Sequence, residues 1–169
     1  MDGEPVSIEL STQSDIEQII RIAKACNLSY WSKEDYLNEV KRVDSFMLSA
    51  RTKHLVVGFI AARLNVPTPP SPFSIGAEIV LPEADLLNIG VLPSFQKQGI
   101  GLQLLNCFFK ECESKNVCSI WLEVRESNVN ARDFYKRNCF IEIQKRPGFY
   151  SNPSEDAVLM KLNVAKNIG

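Results

Sequence analysis

The sequence is short of the residues that build metal and disulfide sites. It has one histidine, His54, and an odd number of cysteines: Cys26, Cys107, Cys112, Cys118 and Cys139. None of them form a C-x-x-C pair, whereas disulfide frameworks and zinc sites show even counts or short paired spacings. We therefore expect reduced thiols, no metal site and a cytoplasmic protein.

A strong charge of one sign and a long apolar run are also missing. Nineteen Lys and Arg residues stand against 20 Asp and Glu residues, which leaves a formal net charge of −1. Sequence-independent binding to nucleic acid needs an excess of basic residues, so we expect no direct nucleic-acid partner. A membrane helix needs about 18 consecutive apolar residues, and the acidic start Met1–Pro5 lacks the apolar segment of a signal peptide. We expect no membrane association.

The chain of 169 residues is long enough for one domain with its own core. We predict a single domain over 1–169, with a stiff proline-rich loop at 66–73. Hydrophobic periodicity predicts an α/β fold in which a mixed, mostly antiparallel central sheet has helices on both faces. The predicted strands are Val6–Leu10, Ser45–Ala50, Leu55–Leu64, Ser74–Leu81, Leu86–Leu92, Val117–Val124, Phe140–Gln144 and Ala157–Asn163. The predicted helices follow Asp15, begin at Ser32, and span Ile100–Lys115 and Asn128–Asn138, while Pro82–Asp85 is expected to form a turn.

The sharpest chemical signal is the segment Gln96–Gly101, between an apolar strand and a long helix. The first turn of a helix presents unpaired N–H groups and the positive end of the helix dipole, which suit a phosphate group. Gly99 and Gly101 let the backbone approach an anion closely, and Lys97 could add a charge contact. The spacing matches neither G-x-G-x-x-G nor the P-loop. Taken alone, the glycines could also serve helix packing only.

A second group of residues follows the strand Val117–Val124. Glu123 lies within an apolar run, where a carboxylate must be solvated by a cleft or cost desolvation energy, and it is a candidate general base. Tyr135 lies about two helical turns after Asn128, which places both on one helix face. The alternatives are a surface carboxylate at a strand end and a core tyrosine.

His54 could in principle act as a catalytic base, because any Ser-His-Asp or Cys-His site would have to include it. No nucleophile motif such as G-x-S-x-G accompanies it. We favour a surface role at a strand edge.

From about Leu86 to Leu162 the sequence resembles the GNAT (GCN5-related) N-acetyltransferase superfamily. Gln96–Gly101 is similar to its (Q/R)-x-x-G-x-(G/A) acetyl-CoA loop, and Trp121–Asn128 resembles the W-L-E-V-R-x-S-N run of RimI-type enzymes, which acetylate the N-terminal alanine of a small-subunit ribosomal protein. Asn128-x-x-Ala131 followed by Phe134-Tyr135 resembles the superfamily's second cofactor motif, and Asp156–Met160 resembles its closing strand. Three features depart from the pattern: Gly90 replaces alanine, Asn138-Cys139-Phe140 replaces L-G-F, and the proline-rich loop is an insertion.

The resemblance implies a GNAT fold, acetyl-CoA as acetyl donor, and a role for each matching residue. Glu123 would be the general base, and Tyr135 the acid that protonates the departing thiolate. The pyrophosphate would lie on the amides between Lys97 and Gly101, and the pantetheine arm would pair with the backbone of Ile89–Val91 and contact Asn128. The implied cofactor-binding residues are Ile89, Gly90, Val91, Gln96, Lys97, Gln98, Gly99, Ile100, Gly101 and Asn128.

The implied activity is acetylation of a protein or peptide N-terminus, with a ribosomal protein as the favoured acceptor. Two other functions stay open. One is a GNAT enzyme that acts on a lysine side chain or a small amine, and the other is a catalytically silent module that binds acyl-CoA. The sequence has both residues to which the resemblance assigns proton transfer, Glu123 and Tyr135, and this argues against the silent module.

Overall fold

The computed structural model describes residues 5–28, 31–67 and 80–164. In these ranges the chain forms seven strands, four α-helices and two short 3-10 turns, Gln13–Asp15 and Pro93–Phe95. The strands are β1 (Ser7–Leu10), β2 (Ser45–Arg51), β3 (Val56–Asn65), β4 (Glu83–Val91), β5 (Ser119–Arg125), β6 (Ile141–Ser151) and β7 (Ser154–Asn163). The helices are α1 (Ile16–Ala25), α2 (Lys33–Glu39), α3 (Ile100–Ser114) and α4 (Val129–Arg137).

The strands form one sheet in the order β1-β2-β3-β4-β5-β7-β6. Strand β4 pairs with β5 in parallel, from Glu83 beside Ser119 to Asp85 beside Trp121. The pairs β1–β2, β2–β3, β5–β7 and β6–β7 are antiparallel. The predicted α/β class with a mixed, mostly antiparallel sheet is therefore confirmed.

The chain divides into two compact units, and the first consists of Met1–Arg63 and Leu86–Glu111. Its core is built on the apolar face of α1, where Ile16, Ile19 and Ile22 are fully buried. Each such side chain contributes about 1.5–3 kcal/mol through removal of apolar surface from water. Helix α2 begins with a capping box, in which Ser32 and Asp35 bond each other's backbone N–H groups.

The second unit consists of Leu64–Asp85 and Cys112–Gly169. Its core comes from the inward side chains of β5 and β7, which alternate with more exposed ones as expected for strands. Helix α4 ends in a Schellman motif, because Phe140 N donates to Tyr135 O and Cys139 N to Lys136 O, both at 3.0 Å. The left-handed residue is Cys139, with φ 67°.

One sequence prediction about the strands is wrong, and a second is tested only at its end. Residues 83–85 of the expected turn Pro82–Asp85 are the beginning of β4, since their backbone pairs with β5 from Glu83 beside Ser119 to Asp85 beside Trp121. Those partners lie more than 30 residues away and leave no local signal. Of the expected strand Ser74–Leu81, residues 74–79 lie outside the described residues, and Val80 and Leu81 are not in a strand.

The last two strands are longer than predicted, because β6 continues to Ser151 and β7 begins at Ser154. Strand β6 passes Pro147 and Gly148 through an irregularity in the register between Arg146 and Tyr150. Gly148 takes φ 60° there, and its N–H donates to Asp156 Oδ1 at 2.9 Å. The domain extent of 1–169 and the loop at 66–73 remain predictions, since residues 68–79 lie outside the described ranges.

Candidate active site

The glycine-containing loop leads from the turn Pro93–Phe95 directly into α3. Lys97 and Gly99 have positive φ values, 60° and 82°. Backbone that passes through left-handed residues turns successive N–H groups toward one side, which forms a concave anion site. Apart from Gly99 and its two chain neighbours, no described residue has an atom within 4 Å of the position that a Cβ on Gly99 would occupy, so the loop is open to a ligand on that side.

The first turn of α3 continues this run of donors. Gln103 N donates to Gly99 O at 3.0 Å, so the amides of Ile100, Gly101 and Leu102 precede the first helical hydrogen bond and lack partners within the helix. The side chain of Ile100 is buried, at 3% exposure. Ile100 can therefore offer a ligand its backbone N–H and not its side chain.

Two glutamines of the predicted cofactor loop use their side chains on the protein itself. Gln96 Nε2 donates to Val91 O at 2.9 Å, and Gln98 Nε2 donates to Ser94 O at 3.2 Å. These bonds tie the loop to the end of β4 and to the turn that precedes it. A cofactor contact of Gln96 would have to use other atoms than this donor.

Gly90 of β4 faces the end of α1. A Cβ built on Gly90 would lie 3.1 Å from Leu28 Cδ1, 3.2 Å from Ile22 Cγ2 and 3.4 Å from Cys26 Sγ. Contacts of 3.1–3.2 Å are tighter than ordinary van der Waals packing. Glycine, in place of the family's alanine, therefore leaves room for Ile22 on α1 and for Leu28 just after the helix.

Glu123 lies in β5, directly beside Leu159 of β7. Its side chain is 31% exposed and forms an ion pair with Arg146 of β6. The Arg146 guanidinium also lies over the Phe149 ring, 4.9 Å from the centroid. The carboxylate that interrupts the apolar strand is thus half-buried and paired with a cation.

Tyr135 lies on α4 and is buried, at 8% exposure. Its ring packs edge-on against Phe134 and Phe140, with centroids 5.6 Å apart in each case. Burial raises the pKa of Tyr135, and neighbouring Tyr150 raises it further. The phenol therefore carries its proton at neutral pH, as a proton donor must.

Asn128 is the N-cap of α4, and its Oδ1 accepts from Ala131 N at 3.2 Å. The cap uses one of the two lone pairs of the side-chain carbonyl oxygen. The Nδ2 group is the donor that this side chain can offer a cofactor.

Sequence reasoning missed Arg125, although this residue ends the W-L-E-V-R run. It donates to Asn152 O at 3.2 Å, to Pro153 O at 3.3 Å and to Glu155 Oε2 at 3.2 Å. Glu155 in turn accepts from Ser127 N at 2.6 Å. The arginine thereby holds the turn between β6 and β7 to the end of β5.

His54 lies in the turn between β2 and β3, where its N–H donates to Thr52 Oγ1 at 3.4 Å. It lines an open cavity of about 580 Å³ together with Arg51 and Lys53, and none of the predicted site residues lines that cavity. The surface position expected for His54 is confirmed by its exposure.

All five cysteines are free thiols. Within residues 5–28, 31–67 and 80–164, no three His, Cys, Asp or Glu side chains are grouped as a metal site. In the same ranges, no helix is long and apolar enough to cross a membrane.

Comparison with known proteins decides the family. The profile of the "Acetyltransferase (GNAT) family" matches residues 16–139, which is most of the chain. The chain belongs to the GNAT acetyltransferase family. This confirms the predicted fold, the enzyme class and acetyl-CoA as the acetyl donor.

Individual relatives of this GNAT chain act on protein N-termini, as their names state. The [ribosomal protein bS18]-alanine N-acetyltransferase of Haemophilus ducreyi is 28% identical over 158 residues, which cover 92% of this chain and 98% of the relative. An N-alpha-acetyltransferase of Sulfolobus acidocaldarius is 30% identical over 159 residues, covering 90% and 89% of the two chains.

A solved structure agrees with this relationship. The crystal structure of the ribosomal-protein-S18-alanine N-acetyltransferase from Escherichia coli matches with a TM-score of 0.76 and 26% sequence identity. The match covers 95% of this GNAT chain and 94% of that chain.

Proposed function

We propose that this GNAT enzyme transfers an acetyl group from acetyl-CoA to the α-amino group of a protein N-terminus. The favoured acceptor is the N-terminal alanine of a small-subunit ribosomal protein. The observation that carries the proposal is the W-L-E-V-R-x-S-N run in β5 and the start of α4, with a half-buried Glu123 and a buried, protonated Tyr135. The bS18-alanine and N-alpha-acetyltransferase relatives support the acceptor class. A cytoplasmic location is part of this proposal.

In this proposal the backbone of two segments binds the donor. The amides between Lys97 and Gly101 bind the pyrophosphate, supported by the positive φ values at Lys97 and Gly99 and by the first-turn amides of α3, which precede the first helical hydrogen bond. The strand Ile89–Val91 pairs with the pantetheine arm, and one N–H of it binds the thioester oxygen. The Nδ2 group of Asn128 contacts the same arm.

The chemistry assigns one proton transfer to each of two side chains. An α-amino group has an ordinary pKa of about 8, so it must lose a proton before its nitrogen can attack the thioester carbon. Glu123 accepts that proton, and Arg146 fixes the orientation of its carboxylate. As the new C–N bond forms and the C–S bond breaks, Tyr135 donates its phenolic proton to the departing sulfur. The nitrogen releases its second proton to water, and Tyr135 regains its proton from water. No covalent bond to the enzyme is needed.

The test is acetyl transfer from acetyl-CoA to short peptides that differ only in their first residue, measured by thiol release and by mass of the product. We expect acetylation of peptides that begin with alanine, at the α-amine. A peptide with a blocked N-terminus and an internal lysine separates the α-amine from the side chain. Transfer to the blocked peptide, or to free small amines in preference to peptides, would favour the alternative acceptors.

Glu123→Gln separates the enzyme from a silent binding module. We expect this variant to lose turnover by about 100-fold or more while acetyl-CoA still binds, as measured by calorimetry. Glu17 on α1 forms an exposed ion pair with Lys33 of α2, so Glu17→Gln is the matched control and should keep full turnover. Acetyl-CoA binding without transfer to any acceptor by the wild type would mean that the module is catalytically silent.

A further inference from the structure

The carbonyl of Val91, the last residue of β4, accepts two side-chain hydrogen bonds. Gln96 Nε2 donates at 2.9 Å and Cys26 Sγ donates at 3.2 Å. A carbonyl oxygen has two lone pairs, so these two donors saturate it. One donor comes from the predicted cofactor loop, and the other comes from the end of α1, which lies 65 residues earlier in the sequence.

Gly90 makes room next to the cysteine. The room is needed by the side chains beside it: a Cβ on residue 90 would lie 3.1 Å from Leu28 Cδ1 and 3.2 Å from Ile22 Cγ2, but at an ordinary contact distance of 3.4 Å from Cys26 Sγ. The C-cap position of Cys26 is fixed by its own N–H, which donates to Ile22 O at 2.9 Å. The glycine, the position of the helix end and the thiol–carbonyl bond therefore belong to one local arrangement.

The thiol is in the protonation state that a donor requires. Burial raises the pKa of the Cys26 thiol above its ordinary value, so the S–H is retained at neutral pH. A thiol is a weak hydrogen-bond donor, and here it supplements the stronger amide donor of Gln96. Either one alone still leaves the carbonyl with a partner.

We propose that Cys26 and Gln96 are positioning residues for acetyl transfer: together they hold the Val91 carbonyl, and with it the junction of β4 and the cofactor loop, in the geometry that receives acetyl-CoA. The inference rests on the proposed function, which assigns the backbone of Ile89–Val91 to the donor. The inference also limits this pairing: because its carbonyl is saturated, Val91 can offer acetyl-CoA its N–H but not its carbonyl.

A double-mutant cycle tests the pair. Gln96→Met removes the amide donor at similar volume, and Cys26→Ala removes the thiol. We expect each single variant to change kcat or the KM for acetyl-CoA by no more than about threefold, because one donor remains. The double variant leaves a carbonyl without a partner, so its loss of kcat/KM should exceed the product of the single losses by about tenfold.

Rescue and control variants separate positioning from packing. Cys26→Ser keeps a donor, so in the Gln96→Met background it should recover most of the activity that Cys26→Ala loses. Cys118→Ala with Gln103→Met forms the control cycle, since Cys118 also donates to a backbone carbonyl, that of Asn116, and Gln103 is exposed on α3. Its effects should be small and multiplicative.

Three outcomes would overturn the inference: multiplicative losses in the Cys26–Gln96 cycle, no rescue by serine, or a lower free energy of unfolding with kcat and KM unchanged. Acetyl-CoA affinity, measured by calorimetry on the same variants, keeps the test independent of the acceptor. If the wild type binds acetyl-CoA but acetylates no peptide, the proposed function fails. The roles of Cys26 and Gln96 are then still tested by the acetyl-CoA affinities of the single and double variants.

Discussion

The guanidinium of Arg125 lies over the ring of Tyr150, 4.1 Å from its centroid. Stacking of this kind is worth about 0.5–2 kcal/mol, depending on desolvation, and here the arginine is only 13% exposed. The same side chain bonds the backbone of Asn152 and Pro153 at the turn between β6 and β7. One residue at the end of β5 therefore fixes both the ring of Tyr150 and the turn beyond it.

We expect Arg125→Lys to lower the free energy of unfolding by about 2 kcal/mol, because lysine keeps the charge but cannot stack and bond several carbonyls at once. Urea unfolding at pH 7 measures this loss. Arg137→Lys, at an exposed position on α4, is the control and should unfold like the wild type. An equal stability of Arg125→Lys and wild type would show that charge alone matters at this position.

Local patterns were sufficient to predict the elements whose signals are local. The apolar periodicity of α1 and α3, the Ser32–Asp35 capping box and the strands β2 and β3 all appear close to where the sequence places them. The beginning of β4 and the second half of β6 were missed. At the beginning of β4 the charged residues suggested a turn, but partners such as Ser119, 36 residues away, keep the backbone extended. In β6 the missed residues pair with the adjacent strand β7, from Arg146 beside Ala157 to Ser151 beside Ser154.

The same division applies to the candidate site. The glycine spacing before α3 and the carboxylate in an apolar strand can be seen in the sequence. The ion pair of Glu123 with Arg146 and the bond of Cys26 to Val91 join residues 23 and 65 positions apart, so they depend on tertiary packing. The position of Asn128 illustrates a further limit, since its side chain caps a helix whatever else it contacts.

Gly99→Val should weaken the binding of acetyl-CoA by about tenfold or more. Valine is strained at φ 82°, and its side chain would extend into the open side of the loop. Acetyl-pantetheine lacks the pyrophosphate, so the variant and the wild type should use it equally well. If Gly99→Val weakens the binding of both donors alike, this loop does not hold the pyrophosphate.

Tyr135→Phe should reduce kcat by about 100-fold, as expected for loss of a general acid, while the affinity for acetyl-CoA stays within about twofold. Because burial raises the pKa of Tyr135, ionisation of this phenol should cause no loss of kcat as the pH rises to about 10, the ordinary value for tyrosine. Tyr36→Phe is the matched control. Its hydroxyl is buried without a partner among the described residues, so activity should not change. Full turnover in Tyr135→Phe would assign the proton to another group or to water.

Cys139→Gly should stabilise the protein by about 1 kcal/mol. Cys139 adopts φ 67° at the end of α4, a conformation that costs a residue with a Cβ roughly 1–2 kcal/mol and glycine almost nothing. The greater freedom of glycine in the unfolded chain offsets part of the gain. Thermal and urea unfolding measure the change. Cys139→Ala keeps the strained backbone, so a similar gain in that variant would attribute the effect to the thiol instead.

We expect the Asp15 carboxylate to make the folded protein less stable in acid. Burial favours the neutral form of this carboxyl, but hydrogen bonds from Arg51 and from Thr12, the latter at 2.6 Å and 3.0 Å, hold its pKa below the ordinary 3.8. At a pH between the lowered pKa of the folded protein and the ordinary pKa of the unfolded chain, the unfolded chain binds more protons than the folded protein. The contribution of Asp15 is therefore complete above about pH 4 and is lost as the pH falls through the folded-state pKa.

Asp15→Asn tests this contribution, because the amide has the same shape but cannot carry the charge. We expect the variant to be less stable than the wild type by about 2 kcal/mol at pH 7, and the difference should shrink below pH 4. Urea unfolding at a series of pH values from 7 downward measures both quantities. A difference that stays constant across the series would mean that the carboxylate contributes through its shape and not through its charge, and the ion pair with Arg51 would then not stabilise the fold.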